Sequence, residues 1–289
     1  MAHDKEIDQV SGTETTGHEW DGIKELNTPL PRWWLWTFYA TCLWALAYWV
    51  VMPAWPLVSS YTKGVIGYSS REQLANTMAE ARAAQAVYLD RIEQASLEEI
   101  VNDRELLDFA QAGGGSAFAV NCSQCHGLGA AGSTGFPNLN DDNWIWGGTL
   151  EAIHQTILYG IRSDHDETRF NEMPAFGRDE ILDREQVGDV AEYVLSLSGS
   201  ETDPAAAQRG SEIFAEQCAA CHGEDGTGNQ DLGAPNLTDA IWLYGGDKAD
   251  VVQTIANSRS GMMPAWTGRL DETTIKQLAV YVHSLGGGE

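Results

Sequence analysis

Cys122-Ser123-Gln124-Cys125-His126 returns 96 residues later as Cys218-Ala219-Ala220-Cys221-His222, and Met-Pro-Ala follows each copy, at Met173 and at Met263. Few folds accommodate such a repeat. Two thiols three positions apart, with a histidine directly after them, form the attachment pattern of a c-type haem. The thiols add across the two porphyrin vinyl groups, and the imidazole takes one axial position on the iron. A methionine thioether on the opposite side fills the remaining position and raises the reduction potential. The sequence therefore predicts two covalently bound haem c groups, attached through Cys122, Cys125, Cys218 and Cys221. The predicted axial ligands are His126, Met173, His222 and Met263. Iron held this way passes electrons and binds substrates poorly, so no catalytic residue is expected.

Other chemistries share part of this pattern. A bare C-x-x-C serves thioredoxin-like redox pairs, and two such pairs can share one zinc. Against both stand the immediate histidine, the glycine after it (Gly127, Gly223) and the downstream Met-Pro in each copy. The fifth cysteine, Cys42, lies in an apolar run and reads as a small hydrophobe. Of the neighbouring Met262 and Met263, only Met263 aligns with Met173, which leaves Met262 a packing residue. His154, His165 and His283 have no repeat counterpart and read as surface or supporting residues, while His3 and His18 precede the apolar run. Trp144, Trp146, Trp242 and Tyr244 recur near the Gly-Gly turns, where they either bond propionates or cover the haem edge. Arg162 and Arg259, one position out of register, are candidate propionate partners.

The repeat extends well beyond the two motifs. Gly114 and Phe118 match Gly210 and Phe214, Pro137-Asn138-Leu139 matches Pro235-Asn236-Leu237, and Tyr193-Val194 matches Tyr281-Val282. The first copy carries eight extra residues near Ser163–Asn171. Each copy reads as helices around a haem: one ending at the attachment motif, one carrying Gln-Thr-Ile, and a last one over Arg184–Leu197 or Glu272–Leu285. That last helix is expected to pack within its own copy, Tyr193 on Phe118 and Tyr281 on Phe214. Both copies resemble class I cytochrome c. Helix formers without Pro or Gly from Ser70 to Ala112 predict a helical connector that packs on the haem domains or on a partner, ended by Gly113-Gly114-Gly115.

Trp33 to Met52 is almost wholly apolar, long enough for one membrane-spanning helix. Trp33, Trp34 and Trp36 flank one end, Trp49 and Trp55 the other, as an aromatic belt does. Its length and the acidic, polar residues before it distinguish it from a cleaved signal peptide. The predicted fold is all-α: one N-terminal transmembrane helix followed by two tandem class I cytochrome c domains. Its segments are a cytoplasmic arm (1–31), the membrane helix (32–56), a periplasmic connector (57–112), and cytochrome domains at 113–200 and 204–289. Haem c is attached outside the cytoplasmic membrane, which puts the N-terminus inside; Lys5, Lys24 and Arg32 agree weakly with that orientation. The net charge is −25. Residues 57–289 hold 35 Asp and Glu against 14 Lys and Arg, a net −21. A field of that sign repels nucleic acid and attracts basic partners.

His18-Glu19-Trp20-Asp21-Gly22-Ile23-Lys24-Glu25-Leu26-Asn27, Pro29-Leu30-Pro31-Arg32-Trp33-Trp34, Tyr48-Trp49 and Pro53-Ala54-Trp55-Pro56 resemble the start of subunit III of cbb3-type cytochrome c oxidases. The order of segments is similar too, so the resemblance spans essentially the whole chain. It implies a non-catalytic, dihaem electron-transfer subunit of the bacterial inner membrane, single-pass, with its haem domains in the periplasm. Such a subunit takes electrons from a donor cytochrome c and passes them through subunit II towards the oxygen-reducing, proton-pumping subunit I. The alternatives are a free-standing membrane-anchored dihaem shuttle, a cytochrome subunit of a periplasmic dehydrogenase, and a dihaem peroxidase. Two Met-Pro-Ala segments argue against the last, which needs an open iron.

Overall fold

A computed structural model describes residues 6–288, so His3 and Lys5 lie outside it. The chain divides after Ala83 into two compact units.

In the first unit, strands β1 (Thr15–Trp20) and β2 (Ile23–Leu26) form an antiparallel hairpin. Asp21 (φ 49°) and Gly22 (φ 83°) make its turn, both left-handed, the geometry that Asp-Gly favours because its twist matches the strands. This hairpin adds a small β element to the all-α fold expected of the chain. Helix α1 (Arg32–Val51) follows, with no buried side chain, and is the one helix among the described residues long and apolar enough to cross a membrane. A turn at Gly64 brings the chain back under its end, where Val65 and Ile66 N–H donate to Val50 and Val51 carbonyls. Those are carbonyls that a helix C-terminus leaves without partners.

Helix α2 (Ser70–Gln94) leads into the second unit. Leu74 and Met78 in its first half are exposed, and Ile92 at its end is fully buried. Ser96 and Glu99 form a capping box that starts α3 (Leu97–Asn102), and Asp103 caps α4 (Arg104–Asn121). The connector is thus part of a core, since Leu97, Ile100, Leu106 and Ala110 pack with Phe118 and the last helix of the chain. Lys276 pins it by donating to the carbonyls of Ile92, Glu93 and Ala95. Contrary to the sequence expectation, Gly113-Gly114-Gly115 does not end the helix; all three lie inside α4. Close approach is the reason: an added Cβ on Gly114 would stand 2.2 Å from Gln277 O, and one on Gly113 2.3 Å from Gln277 Oε1.

The rest of the unit contains α5 (Ser123–His126), α6 (Leu150–Tyr159), α7 (Arg184–Leu197), α8 (Pro204–Gln217), α9 (Ala219–His222), α10 (Lys248–Asn257) and α11 (Glu272–His283). They build two cores. In the first, α4 and α6 pack against α11; in the second, α8 and α10 pack against α7. Each copy of the repeat is therefore closed by the other copy's last helix. Tyr281 meets Phe118 with ring centroids 5.5 Å apart, and Tyr193 meets Phe214 at 5.1 Å. The expected pairs, Tyr193 with Phe118 and Tyr281 with Phe214, are thereby exchanged. Charge supports the exchange. Buried Asp189 on α7 accepts two bonds from Arg209 on α8, at 2.7 and 2.6 Å. Buried Glu192 on α7 pairs with Lys248 of α10 and accepts from Asp203 N–H at 3.1 Å.

Candidate functional site

Both attachment motifs are built alike. A long helix, α4 or α8, runs into the first cysteine, which caps it, and a single turn, α5 or α9, carries the second cysteine and the histidine. Gly127 (φ 78°) and Gly223 (φ 79°) then leave in the left-handed region and turn the chain back along the imidazole. His126 Nδ1 donates to Pro137 O at 3.1 Å, and His222 Nδ1 to Pro235 O at 3.1 Å. That bond fixes the ring and its tautomer, and it leaves the Nε2 lone pair available to a metal. Burial holds both imidazoles below the ordinary histidine pKa, against the pull of the proline carbonyl. Burial, helped by the neighbouring thiol, pushes Cys122 and Cys218 up to about 11.

The two cysteine pairs sit in different cores, Cys122 against the first and Cys218 against the second.

The methionines cross over with the helices. Met263 packs against the first core, as do Cys122, Leu139 and Trp144, while Met173 packs against the second, which also holds Cys218, Leu237 and Trp242. Backbone pairing holds Met263 in place: Ile161 N–H donates to Met263 O at 2.9 Å, and Met263 N–H to Ile161 O at 3.0 Å. Past each methionine, the chain caps the helix it reaches. Trp266 N–H donates to Ile157 O and Thr267 N–H to Leu158 O, both at 3.1 Å; Phe176 N–H donates to Ile255 O at 3.1 Å. Met262, next in line, is 67 % exposed.

The remaining sequence candidates take varied places. His154 faces Glu272 at 3.1 Å, and His165 Nδ1 accepts from Glu167 N–H inside the eight-residue insert. His18 stacks on Trp20 in the hairpin. Trp144 Nε1 donates to Gly287 O. Arg162 bonds two carbonyls, Gly261 O at 2.7 Å and Asn171 O at 2.9 Å, each two residues ahead of a Met. Arg259 lies over Tyr244 at 4.8 Å. Arg169 was not singled out by the sequence. It lies 5.6 Å from the Trp146 ring with its Nε buried and unpartnered. Paired thiols at the head of each core, an imidazole with one nitrogen committed, a thioether in the same core and a guanidinium Nε–H buried without an acceptor together fit a haem with its propionates.

Comparison with known proteins agrees with this chemistry. Residues 12–59 match the N-terminal domain of cytochrome oxidase-cbb3, FixP, and residues 110–194 and 205–282 match cytochrome c oxidase, cbb3-type, subunit III. A cbb3-type cytochrome c oxidase subunit FixP of Bradyrhizobium sp. (strain ORS 278) is 57 % identical over 293 residues, covering 100 % of both chains. Its counterpart in Azorhizobium caulinodans is 57 % identical over 100 % of this chain and 98 % of its own. A subunit CcoP from Azospirillum brasilense is 56 % identical over 99 % of each.

Proposed function

The chain belongs to the cbb3-type cytochrome c oxidase subunit III family, whose members are named FixP or CcoP, and on that footing we propose that it carries two haem c groups and relays electrons from a donor cytochrome c towards an oxygen-reducing subunit. Cys122 and Cys125 would hold one haem, with His126 and Met263 as the protein ligands to its iron. Cys218 and Cys221 would hold the other, with His222 and Met173. Each haem, once bound, supplies a one-electron iron couple without an open coordination position. The chain's own residues bind, orient and keep dry. The proline carbonyls hold the imidazoles in one orientation, and the Phe118–Tyr281 and Phe214–Tyr193 pairs close the cores beside the thiols.

Oxygen reduction and proton pumping belong, in this reading, to subunit I, reached through subunit II. The apolar helix α1 anchors the chain once in the bacterial inner membrane, with the N-terminal arm in the cytoplasm and the haem modules in the periplasm, where haem c attachment takes place. The acidic balance of residues 57–289 suits a basic donor.

The observation that carries this reading is the seating of one Met-Pro-Ala segment in each cysteine-bearing core. Its test is purification of the tagged chain in mild detergent from its native membranes, with oxygen uptake assayed on reduced cytochrome c. Co-elution with copper, b-type haem and two further subunits, together with oxygen consumption, is expected. A lone protein with two c haems and no oxygen uptake, under conditions that keep a reference oxidase intact, would point to a free shuttle instead.

A further inference from the structure

Arg169 holds the buried side-chain nitrogen that finds no hydrogen-bond partner among the described residues. Its Nη2 donates to Ala152 O at 3.2 Å and to Gln155 Oε1 at 3.1 Å, both neutral acceptors. Burial draws its pKa below the usual guanidinium value, opposed by the charge of Asp231.

A counterpart occupies the matching place in the second copy. Arg259 Nη2 donates to Asp250 O at 2.8 Å, and its guanidinium stands 4.8 Å from the Tyr244 ring. Asp250 and Tyr244 are the repeat equivalents of Ala152 and Trp146, the groups that Arg169 touches. Sequence register conceals this match, because Arg259 follows α10 directly and Arg169 arrives from the eight-residue insert. The arginines differ at Nε. Arg259 Nε donates to Thr254 Oγ1 at 2.9 Å. Thr156 and Thr254 each donate to the carbonyl four residues back, but only Thr254 also accepts from its arginine, and Arg169 Nε has no partner among the described residues.

A buried N–H without an acceptor is costly, and a charged one more so. The acceptor that fits a planar fork is a carboxylate, and each haem brings two propionates. Backbone pairing says which haem. Arg162 N–H donates to Arg169 O at 2.8 Å, and Arg169 N–H to Gly160 O at 3.2 Å, while Ile161 pairs on its other side with Met263. Arg169 therefore lies one strand away from the methionine seated in the first core, and its side chain runs along α6, which flanks that core. We propose that Arg169 pairs through Nε with a propionate of the haem attached to Cys122 and Cys125, and so acts as a residue that positions this haem and sets its potential. The inference rests on the dihaem reading given above.

The experiment is a spectroscopic redox titration of the full chain in its detergent-solubilised form, comparing wild type with Arg169→Gln and Arg169→Lys. Arg169→Gln should keep two haems per chain and lower one of the two potentials. A tenfold change in the reduced-to-oxidised ratio is expected, about 59 mV for a one-electron couple. The other potential should stay in place, and Arg169→Lys, which keeps the charge, should restore most of the loss. Two haems with both potentials unchanged in Arg169→Gln would overturn the pairing. Where Arg169→Gln does not accumulate, infrared redox-difference spectra of wild type and Arg169→Lys decide. Exchanging a fork for a point charge should shift the propionate carboxylate bands, and identical bands would overturn the proposal. A wild-type chain without two c haems would overturn the dihaem reading and this pairing together.

Discussion

Gly210 lies where an added Cβ would stand 2.0 Å from Asp189 O, and Gly114 where one would stand 2.2 Å from Gln277 O. At both places two helix backbones meet with nothing between them. Gly114→Ala or Gly210→Ala should therefore destabilise the chain by ~1–3 kcal/mol or more, the cost of overpacking a rigid contact, read as a lower melting temperature. Gly188 provides the control. It sits inside α7 with open space around its missing Cβ, so Gly188→Ala should stabilise by about 0.5–1 kcal/mol through helix propensity. The methionines give the second prediction at this scale. On the proposed ligation, Met263→His and Met173→His should each lower one potential, because imidazole would replace a thioether on the iron. In a chain with Cys218→Ala and Cys221→Ala, which retains one haem, Met263→His should still act and Met173→His fall silent; the reverse pattern would restore the pairing within each copy. The repeat itself pointed to Met263 over Met262, whereas Arg169 had no signal in the alignment, because its partners come from a helix and a turn elsewhere in the sequence.

Helix exchange between the copies follows a charge code. Asp189 and Glu192 of α7 meet Arg209 and Lys248. At the equivalent places in α11 stand Gln277 and Val280, and the residues equivalent to Arg209 and Lys248 are Gly113 and Leu150. Closing each copy with its own last helix would leave two acids without partners in one core and set two cations against neutral side chains in the other, and unpaired buried charge is strongly unfavourable. A chain ended after Ser200 has only that option for α7, so it should melt well below the full chain. Asp189→Gln with Glu192→Val should raise the melting temperature of the truncated chain while lowering that of the full one. Equal shifts in both would mean that the charges do not choose the partner. The helices themselves were readable from helix-forming composition, apolar spacing and the lack of Pro and Gly. The hairpin carries a turn signal, Asp21-Gly22 between Trp20 and Ile23, that a search for helix periodicity passes over, and the glycine run defies a sequence reading because a glycine that ends a helix and a glycine that lets two helices touch look alike.

Taken whole, the chain is a cytochrome subunit with a strongly acidic second unit, and the proposed function would make its encounter with a basic donor an electrostatic event. Electron input from such a donor should fall steeply as salt rises from low ionic strength to about 0.15 M, where the Debye length shortens to about 8 Å. A flat salt profile would mean that apolar contact guides docking. The amino-acid sequence by itself determined the chemistry: the thiol pairs with their histidines, the repeated Met-Pro-Ala, the apolar stretch of membrane length and the family, since each is a local pattern whose meaning depends on spacing along the chain. Only the tertiary structure decided which methionine and which closing helix pack in the core of which cysteine pair, and which arginine keeps a buried nitrogen without a partner. Two copies built on the same motifs offer similar local patterns, so periodicity cannot tell a helix from its repeat partner. The choice falls to contacts between residues far apart in sequence: Asp189 with Arg209, Gln277 with Gly113, and Ile161 with Met263.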